Sequence, residues 1–187
     1  LIDQGAKKLT VINNNAGNGK VGLASLIASG QVTKMICSFP RSAGSVVFPD
    51  LYRAGKIDLE VVPQGTLAER LRAAGSGIPA FYTPTSVGTS LAEGKDTRDF
   101  DGRTYVMERW LPADIALIKA DVADTHGNLT YNMTARNFAP VMCMAATTTI
   151  VQARELVNPG DINPEMVVTP GIFVDRVIHV PNPEHED

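Results

Sequence analysis

Only two cysteines occur in the 187 residues, Cys37 and Cys143, far apart and each in apolar surroundings. With no C-x-x-C pair and no Cys/His cluster, the chain offers neither a zinc site nor a disulfide framework. Both read as buried free thiols of a cytoplasmic protein. Histidine is equally scarce. His126 sits in a turn beside Gly127, while His179 and His185 lie near the carboxyl end. No Ser/His/Asp arrangement, H-E-x-x-H or Walker A pattern accompanies them. Positive charge is not in surplus either, since the net charge is −3. Neither nucleic acid nor an anionic membrane is therefore an expected partner. No apolar run approaches the roughly 20 residues of a membrane span, and no signal peptide is apparent.

What is present is the composition of a globular domain, long enough to bury a real core. A single domain over residues 1–187 is expected, with no repeats and no low-complexity linker. The chain opens on Leu1 rather than Met, and Leu1–Gly5 reads as the end of a helix, so an upstream piece is expected.

The most informative stretch is Ile57–Gly75, IDLEVVPQGTLAERLRAAG. Ile57, Leu59, Val61 and Val62 read as a short strand entering a packed sheet. Pro63, which has no N–H for a ladder, stops it. Gln64 and Gly65 read as the turn, and Thr66–Glu69 fits the [ST]-x-x-[DE] helix start. Leu67, Leu71 and Ala74 carry the helical spacing onward to Gly75, read as its C′ residue. Gln64 thus falls between a strand's carboxyl end and a helix amino terminus, where open α/β sheets bind ligands.

Two similar units precede it. Leu9, Val11 and Ile12 form a strand, Asn13–Gly19 a polar turn, and Val21–Ser29 a short helix ending at Gly30. The amides of Asn13, Asn14 and Asn15 can donate and accept without charge, although an Asx-rich turn explains them as well. Met35-Ile36-Cys37 is a second strand, Phe39–Gly44 a loop, and Val46–Ala54 a helix closed by Gly55. Three strand–turn–helix units in succession predict an α/β fold with an open, largely parallel sheet flanked by helices. Their carboxyl ends share one rim, where Asn13–Asn15, Arg41 and Gln64 can converge.

Gly17–Gly22 also matches G-x-G-x-x-G, the fingerprint of a nucleotide-binding module. The match is poor. The strand Lys34–Ser38 ends in Phe39-Pro40-Arg41 with no acid for a ribose before Asp50, and the glycines come too late for the tight turn. The second near-match, Gly75–Ala80, follows a helix and contains Pro79; it reads as a loop.

Beyond it, Ala80–Thr83 reads as a strand and Pro84–Thr89 as a small-residue loop. Asp96–Phe100 and Thr104–Glu108 flank the hairpin signal Asp101-Gly102. Ile115–Lys119, Leu129–Tyr131, Thr148–Gln152 and Ile172–Ile178 read as strands, and Phe138–Ala146 as an apolar helix. The tail Pro181–Asp187 reads as frayed. Glu60 and Glu69 flank the central turn, and Glu69 reads as a first-turn carboxylate complementing the helix dipole.

At these residues the chain resembles the A (alpha) subunit of family I CoA-transferases, the group of the 3-oxoacid and 3-oxoadipate enzymes. The likeness is carried by NNAGNG at Asn14–Gly19, VPQGTLAERLRAAGSGIPAFYTPT at Val62–Thr85, and Gly88-Thr89. ARNF at Ala135–Phe138 and TPGIFVDRV at Thr169–Val177 extend it over nearly the whole chain. Ile36–Arg41 and Phe100–Arg109 look more like the 3-oxoadipate branch than the acetoacetate branch.

The resemblance implies a CoA-transferase-type fold and half of an enzyme. CoA would move from succinyl-CoA to a 3-oxoacid, 3-oxoadipate or alternatively acetoacetate, by ping-pong chemistry. The glutamate nucleophile would lie on a B subunit, with two A and two B subunits in the assembly. No cofactor is permanently bound and no metal is needed; the CoA thioester is substrate. Asn14 and Asn15 match the asparagines beside the pocket. Gln64, with Gly65, matches the glutamine near the reacting acyl group, where a neutral amide can stabilise a developing oxyanion. Arg41 is the candidate for a distal carboxylate, as 3-oxoadipate carries. The chain departs from the family in three places. A glycine-rich segment upstream of the first strand is absent, Ser86-Val87 replaces a Gly-aromatic pair, and Asn132-Met133-Thr134 stands where a Lys is common.

Overall fold

Short apolar runs alternating with glycine-closed amphipathic stretches build the first part of the chain. The computed structural model describes residues 1–182. It opens with β1 (Leu9–Ile12), α1 (Gly22–Ala28), β2 (Val32–Cys37), α2 (Val47–Arg53), β3 (Asp58–Val61) and α3 (Gln64–Gly75). The three strands are parallel in the order β1-β2-β3, with Val11, Met35 and Leu59 in register. Because β2 is central, Met35, Ile36 and Cys37 are buried as one continuous apolar run. Leu26 and Ile27 of α1 and Phe48 of α2 pack with Met35 and Cys37 in a common core.

The third unit differs from its sequence reading at both helix ends. The Leu67 N–H donates to the Pro63 carbonyl at 2.8 Å, so winding begins at Gln64. Gln64 and Gly65 are helical residues rather than a turn, and Thr66, 4% exposed, lies inside the helix and does not cap it. Glu69 consequently sits beyond the first turn. Its partner is Arg72, at 2.6 and 2.9 Å, and not the helix dipole. The Arg72 hydrogen bond holds its carboxyl below the usual carboxylate range.

At the other end, Ile78 N–H donates to Ala73 O and Gly77 N–H to Ala74 O, a Schellman motif. The left-handed C′ residue is therefore Gly77, at φ +69°, and not Gly75. Gly75 has a different duty. A Cβ there would collide with the Met144 Cβ, so the glycine lets the backbone of α3 pass against that side chain.

Strands β4 (Ala80–Thr83), β5 (Thr97–Phe100) and β6 (Arg103–Arg109) form a sheet in the order β4-β6-β5. Phe100 pairs with Arg103 across a two-residue turn in which Asp101 and Gly102 have φ of 50° and 74°, as a type I′ hairpin requires. Ahead of it, Ser86 takes φ +78° although it is not a glycine, and its Oγ is buried without a hydrogen-bond partner among the described residues. A glycine there would relieve both burdens. Ser86→Gly is expected to raise stability by about 1 kcal/mol and Tm by about 2–4 °C. A lower Tm on thermal unfolding would show that the hydroxyl has a partner after all.

The remaining elements are β7 (Ala113–Asp124), β8 (Leu129–Thr130), α4 (Ala139–Ala145), β9 (Ala146–Val157) and β10 (Arg176–His179), with sheet order β10-β9-β7-β8. β7, β9 and β10 are parallel, and β8 runs antiparallel to β7. β7 and β9 are 12 residues each, far longer than Ile115–Lys119 and Thr148–Gln152. Alanines extend them: Ala116, Ala120 and Ala123 of β7 and Ala153 of β9 are buried with Ile118 and Val151, and Cys143 of α4 packs on the same core.

Ile172–Ile178 is not one strand. Gly171–Phe173 is a 3-10 turn and the ladder starts only at Arg176. The cause is the preceding Asp124–Asn128 turn. Asn128 Oδ1 accepts the Gly171 N–H at 3.0 Å, and a Cβ at Gly171 would collide with the His126 carbonyl. Burial opposes ionisation of Asp124, but hydrogen bonds from the Asn128 side chain and the Asn128 and His126 backbones hold its carboxyl below the usual range.

The α/β class thus holds, with parallel and mixed sheets flanked by helices, and the parallel strands are shared between two sheets. Contacts group the described residues into two compact units, Leu1–Leu67 with Tyr82–Val106, and Ala68–Phe81 with residues 107–182. The fraying expected of the tail, and His185, lie outside the described residues from 183 onward.

Candidate functional site

The carboxyl ends of β1, β2 and β3 are fixed by hydrogen bonds that continue past the strands. Asn13 N–H donates to Ile36 O at 3.1 Å, and Ser38 and Phe39 N–H both donate to Asn14 O, at 3.2 and 2.9 Å. Asn15 bridges Phe39 in parallel register, and on the far side Val62 N–H donates to Cys37 O at 3.0 Å. The rim therefore reads Asn14, Ser38, Gln64 across three adjacent strand ends.

Two of the sequence-predicted residues meet there. Gln64 Nε2 donates to Asn14 Oδ1 at 3.0 Å, an exposed amide–amide bond between residues 50 apart in the chain. Asn15 does not share that bond; its Oδ1 accepts the Gly17 N–H at 2.9 Å in an Asx turn. Gly65 follows Gln64 on the first helical turn. A Cβ there would meet nothing within 4 Å, so the chain itself does not demand glycine at this position. Arg41 is exposed on the Phe39–Gly44 loop, and among the described residues no hydrogen bond or ion pair joins it to Asn14 or Gln64.

The glycine-rich run is spent on structure. Gly17, at φ +77°, packs so closely on α1 that a Cβ would lie 2.7 Å from the Ala24 nitrogen. Gly19 N–H donates to Gly44 O at 3.1 Å, and the Ser42 hydroxyl donates to Asn18 Oδ1, zipping the Asn13–Gly19 and Phe39–Gly44 loops together. The Gly17 and Gly19 N–H groups are thus committed to protein acceptors, and α1 is only 7 residues long. That geometry agrees with setting the dinucleotide reading aside.

Electrostatically the rim is neutral apart from Arg41. Glu60 on β3 is paired with Lys34 of β2 at 2.7 Å, and Glu69 with Arg72. Burial pushes the Cys37 thiol up to about 11, against a lowering by the backbone hydrogen bond from Phe39. Among the described residues no cluster of three or more His, Cys, Asp or Glu could hold a metal ion. None of their helices is long and apolar enough to cross a membrane. Cavities of about 230 and 560 Å³ are lined by residues from 119 onward and contain none of the predicted site residues.

Sequence reasoning passed over Ser38 and the side chain of Phe39. Phe39 is 58% exposed at the rim, unusual for a phenylalanine beside a buried strand. The signal available was position, since both directly follow the apolar run of the middle strand.

A neutral amide pair at a strand rim can donate to a carbonyl oxygen acquiring negative charge, but it supplies no nucleophile and no proton. The model of the family described as Coenzyme A transferase matches residues 1–179. The A subunit of the 3-oxoadipate CoA-transferase of Pseudomonas putida is 61% identical over 180 residues, covering 96% of this chain and 78% of that protein. The A subunit of a probable succinyl-CoA:3-ketoacid coenzyme A transferase of Bacillus subtilis is 50% identical, covering 94% of this chain and 73% of that protein. In fold, an acyl-CoA transferase of E. coli O157:H7 superposes with a TM-score of 0.80 at 23% identity, over 97% of this chain and 39% of that one. With a family match across nearly its whole length and relatives at this identity, the chain belongs to the coenzyme A transferase family.

Proposed function

We propose that this chain is the A subunit of a two-subunit, cytoplasmic transferase that moves CoA from succinyl-CoA to 3-oxoadipate, assembled from two A and two B subunits. The observation that carries the acceptor is the 61% identity to the A subunit of a 3-oxoadipate enzyme, against 50% to that of a succinyl-CoA:3-ketoacid enzyme. The chemistry follows the character of the rim.

In the first step, a glutamate carboxylate on the B subunit's side of the cleft attacks the thioester carbonyl of succinyl-CoA. The C–S bond breaks, leaving a mixed anhydride and the CoA thiolate. The thiolate then attacks the glutamyl carbonyl, releasing succinate and leaving a glutamyl-CoA thioester. The acceptor's carboxylate repeats the sequence in reverse and departs as 3-oxoadipyl-CoA, restoring the glutamate. Each addition places negative charge on a carbonyl oxygen. The Gln64 amide is the donor that meets it, with Gly65 leaving room, while Asn14 and Asn15 shape the pocket wall. An uncharged donor suits the task because a cation there would pair with the attacking carboxylate and blunt it. CoA enters and leaves as substrate.

Arg41 separates the two acceptor branches. 3-Oxoadipate has a second carboxylate that a guanidinium can bind bidentately, and acetoacetate has none. In the two-subunit enzyme, Arg41→Met is expected to cut kcat/KM about 10–100-fold on 3-oxoadipate, with a change under about threefold on acetoacetate. Equal losses on both acids would remove Arg41 from the site. A wild-type preference for acetoacetate would move the enzyme to the succinyl-CoA:acetoacetate branch.

A further inference from the structure

The central strand ends in a hydroxyl that the chemistry above leaves unused. Ser38 directly follows Cys37, and its backbone N–H donates to Asn14 O at 3.2 Å. Its Oγ is buried and has no hydrogen-bond partner among the described residues. Buried hydroxyls without a partner also occur at Ser45 and Ser86, and neither of those residues is hydrogen-bonded to Asn14 or Gln64. Of the three, Ser38 stands at the strand end that the Gln64–Asn14 bond spans: its own N–H is bonded to Asn14 O, and the carbonyl of the preceding Cys37 accepts the Val62 N–H.

That bond presents a conflict. Asn14 Oδ1 takes its donor from Gln64 Nε2. Once Gln64 Nε2 turns toward an acyl oxygen, Asn14 Oδ1 loses that donor, and an acceptor stripped of its partner resists the change. A hydroxyl with an uncommitted hydrogen, on a residue already bonded to Asn14 through the main chain, resolves it. We propose that Ser38 is a positioning residue whose O–H becomes the donor to Asn14 Oδ1 when Gln64 Nε2 leaves it for the substrate. One hydrogen bond is broken and two are made, and no proton changes owner. Rotation of the Ser38 side chain makes this bond, since its Oγ has no partner among the described residues, and the cost of freeing Gln64 is offset inside the rim. The inference rests on the transferase reading of the site and adds to it how the donor is released.

The experiment uses the full-length two-subunit enzyme with Ser38→Ala, Ser38→Thr, Asn14→Ala and the Ser38→Ala/Asn14→Ala double variant. Ser38→Ala is expected to lower kcat about tenfold, with KM within about twofold, because the bond it removes forms only once substrate has engaged Gln64. Its Tm should be unchanged or higher, since the hydroxyl has no partner to lose in the free protein. Ser38→Thr, which keeps the O–H, should recover kcat to within about threefold of wild type. Ser38→Ala should add nothing to the loss already caused by Asn14→Ala, as two residues acting through one bond require. Wild-type turnover in Ser38→Ala would overturn the proposal, showing that Gln64 keeps Asn14 and meets the acyl group through its second amide hydrogen. A lowered Tm with losses that add to those of Asn14→Ala would overturn it too, as that is the pattern of a structural hydroxyl. A wild-type enzyme inactive with succinyl-CoA and 3-oxoacids would instead sink the transferase reading, a failure visible before any variant is made.

Discussion

Gln64→Ala is expected to lower kcat/KM of the assembled enzyme by about 10²–10³ while leaving assembly and Tm nearly unchanged, the loss typical of removing one oxyanion donor. The small effect on folding follows from where the residue sits. Gln64 is the first residue of α3, exposed, and its described partner is Asn14 Oδ1 at 3.0 Å. An exposed amide–amide bond contributes about 1 kcal/mol or less to stability, and alanine favours the helix. Catalysis and stability should therefore separate cleanly. Steady-state kinetics beside thermal unfolding decide the matter, and near wild-type turnover would reduce Gln64 to a clasp between two strand ends.

A complete loss is expected when the chain is assayed without its partner. The isolated chain should transfer no CoA and form no thioester with acyl-CoA. Glu60 pairs with Lys34, Glu69 with Arg72, and Glu108 is buried in β6. Glu93 closes a 3-10 turn, Glu155 is exposed on β9, and Glu165 donates its N–H to the Asn163 cap. Supplying the B subunit should produce a borohydride-reducible glutamyl-CoA thioester, and peptide mapping should place it on B. A label on any glutamate of this chain would refute the division of labour between the subunits.

The strand–turn–helix order of the first 75 residues was legible because apolar runs and glycine stops carry it without tertiary help. Helix ends were less so. The Thr66–Glu69 pattern is a sound local signal, but the Pro63 carbonyl took the first helical hydrogen bond and moved the start to Gln64. At the far end two glycines competed, and only the close approach to Met144 reveals that Gly75 serves packing and Gly77 the turn. β7 and β9 were underestimated since alanine scores weakly as a strand former, yet fits where neighbouring strands and α4 leave little room. Ile172–Ile178 misled because its apolar character was local, whereas the Asn128 contact that breaks the strand comes from 43 residues away. Of the rim, the amide residues were legible from type and position. That Asn14 and Gln64 touch, that Asn15 is spent on an Asx turn, and that the Ser38 hydroxyl has no partner among the described residues depend on the third dimension.

The amide bridge also shapes the enzyme's proton inventory. Carboxamides neither gain nor lose a proton between about pH 4 and 10, and the Cys37 thiol at the end of β2 is lifted to about 11 by its burial. The Asn14–Gln64 pair is thus silent toward pH and can add no limb to a rate profile. The ionisations behind any bell-shaped profile therefore belong to groups other than this amide pair. In the proposed mechanism the same amide meets the oxyanion whichever acid is leaving, so forward and reverse transfer should share one acid–base signature.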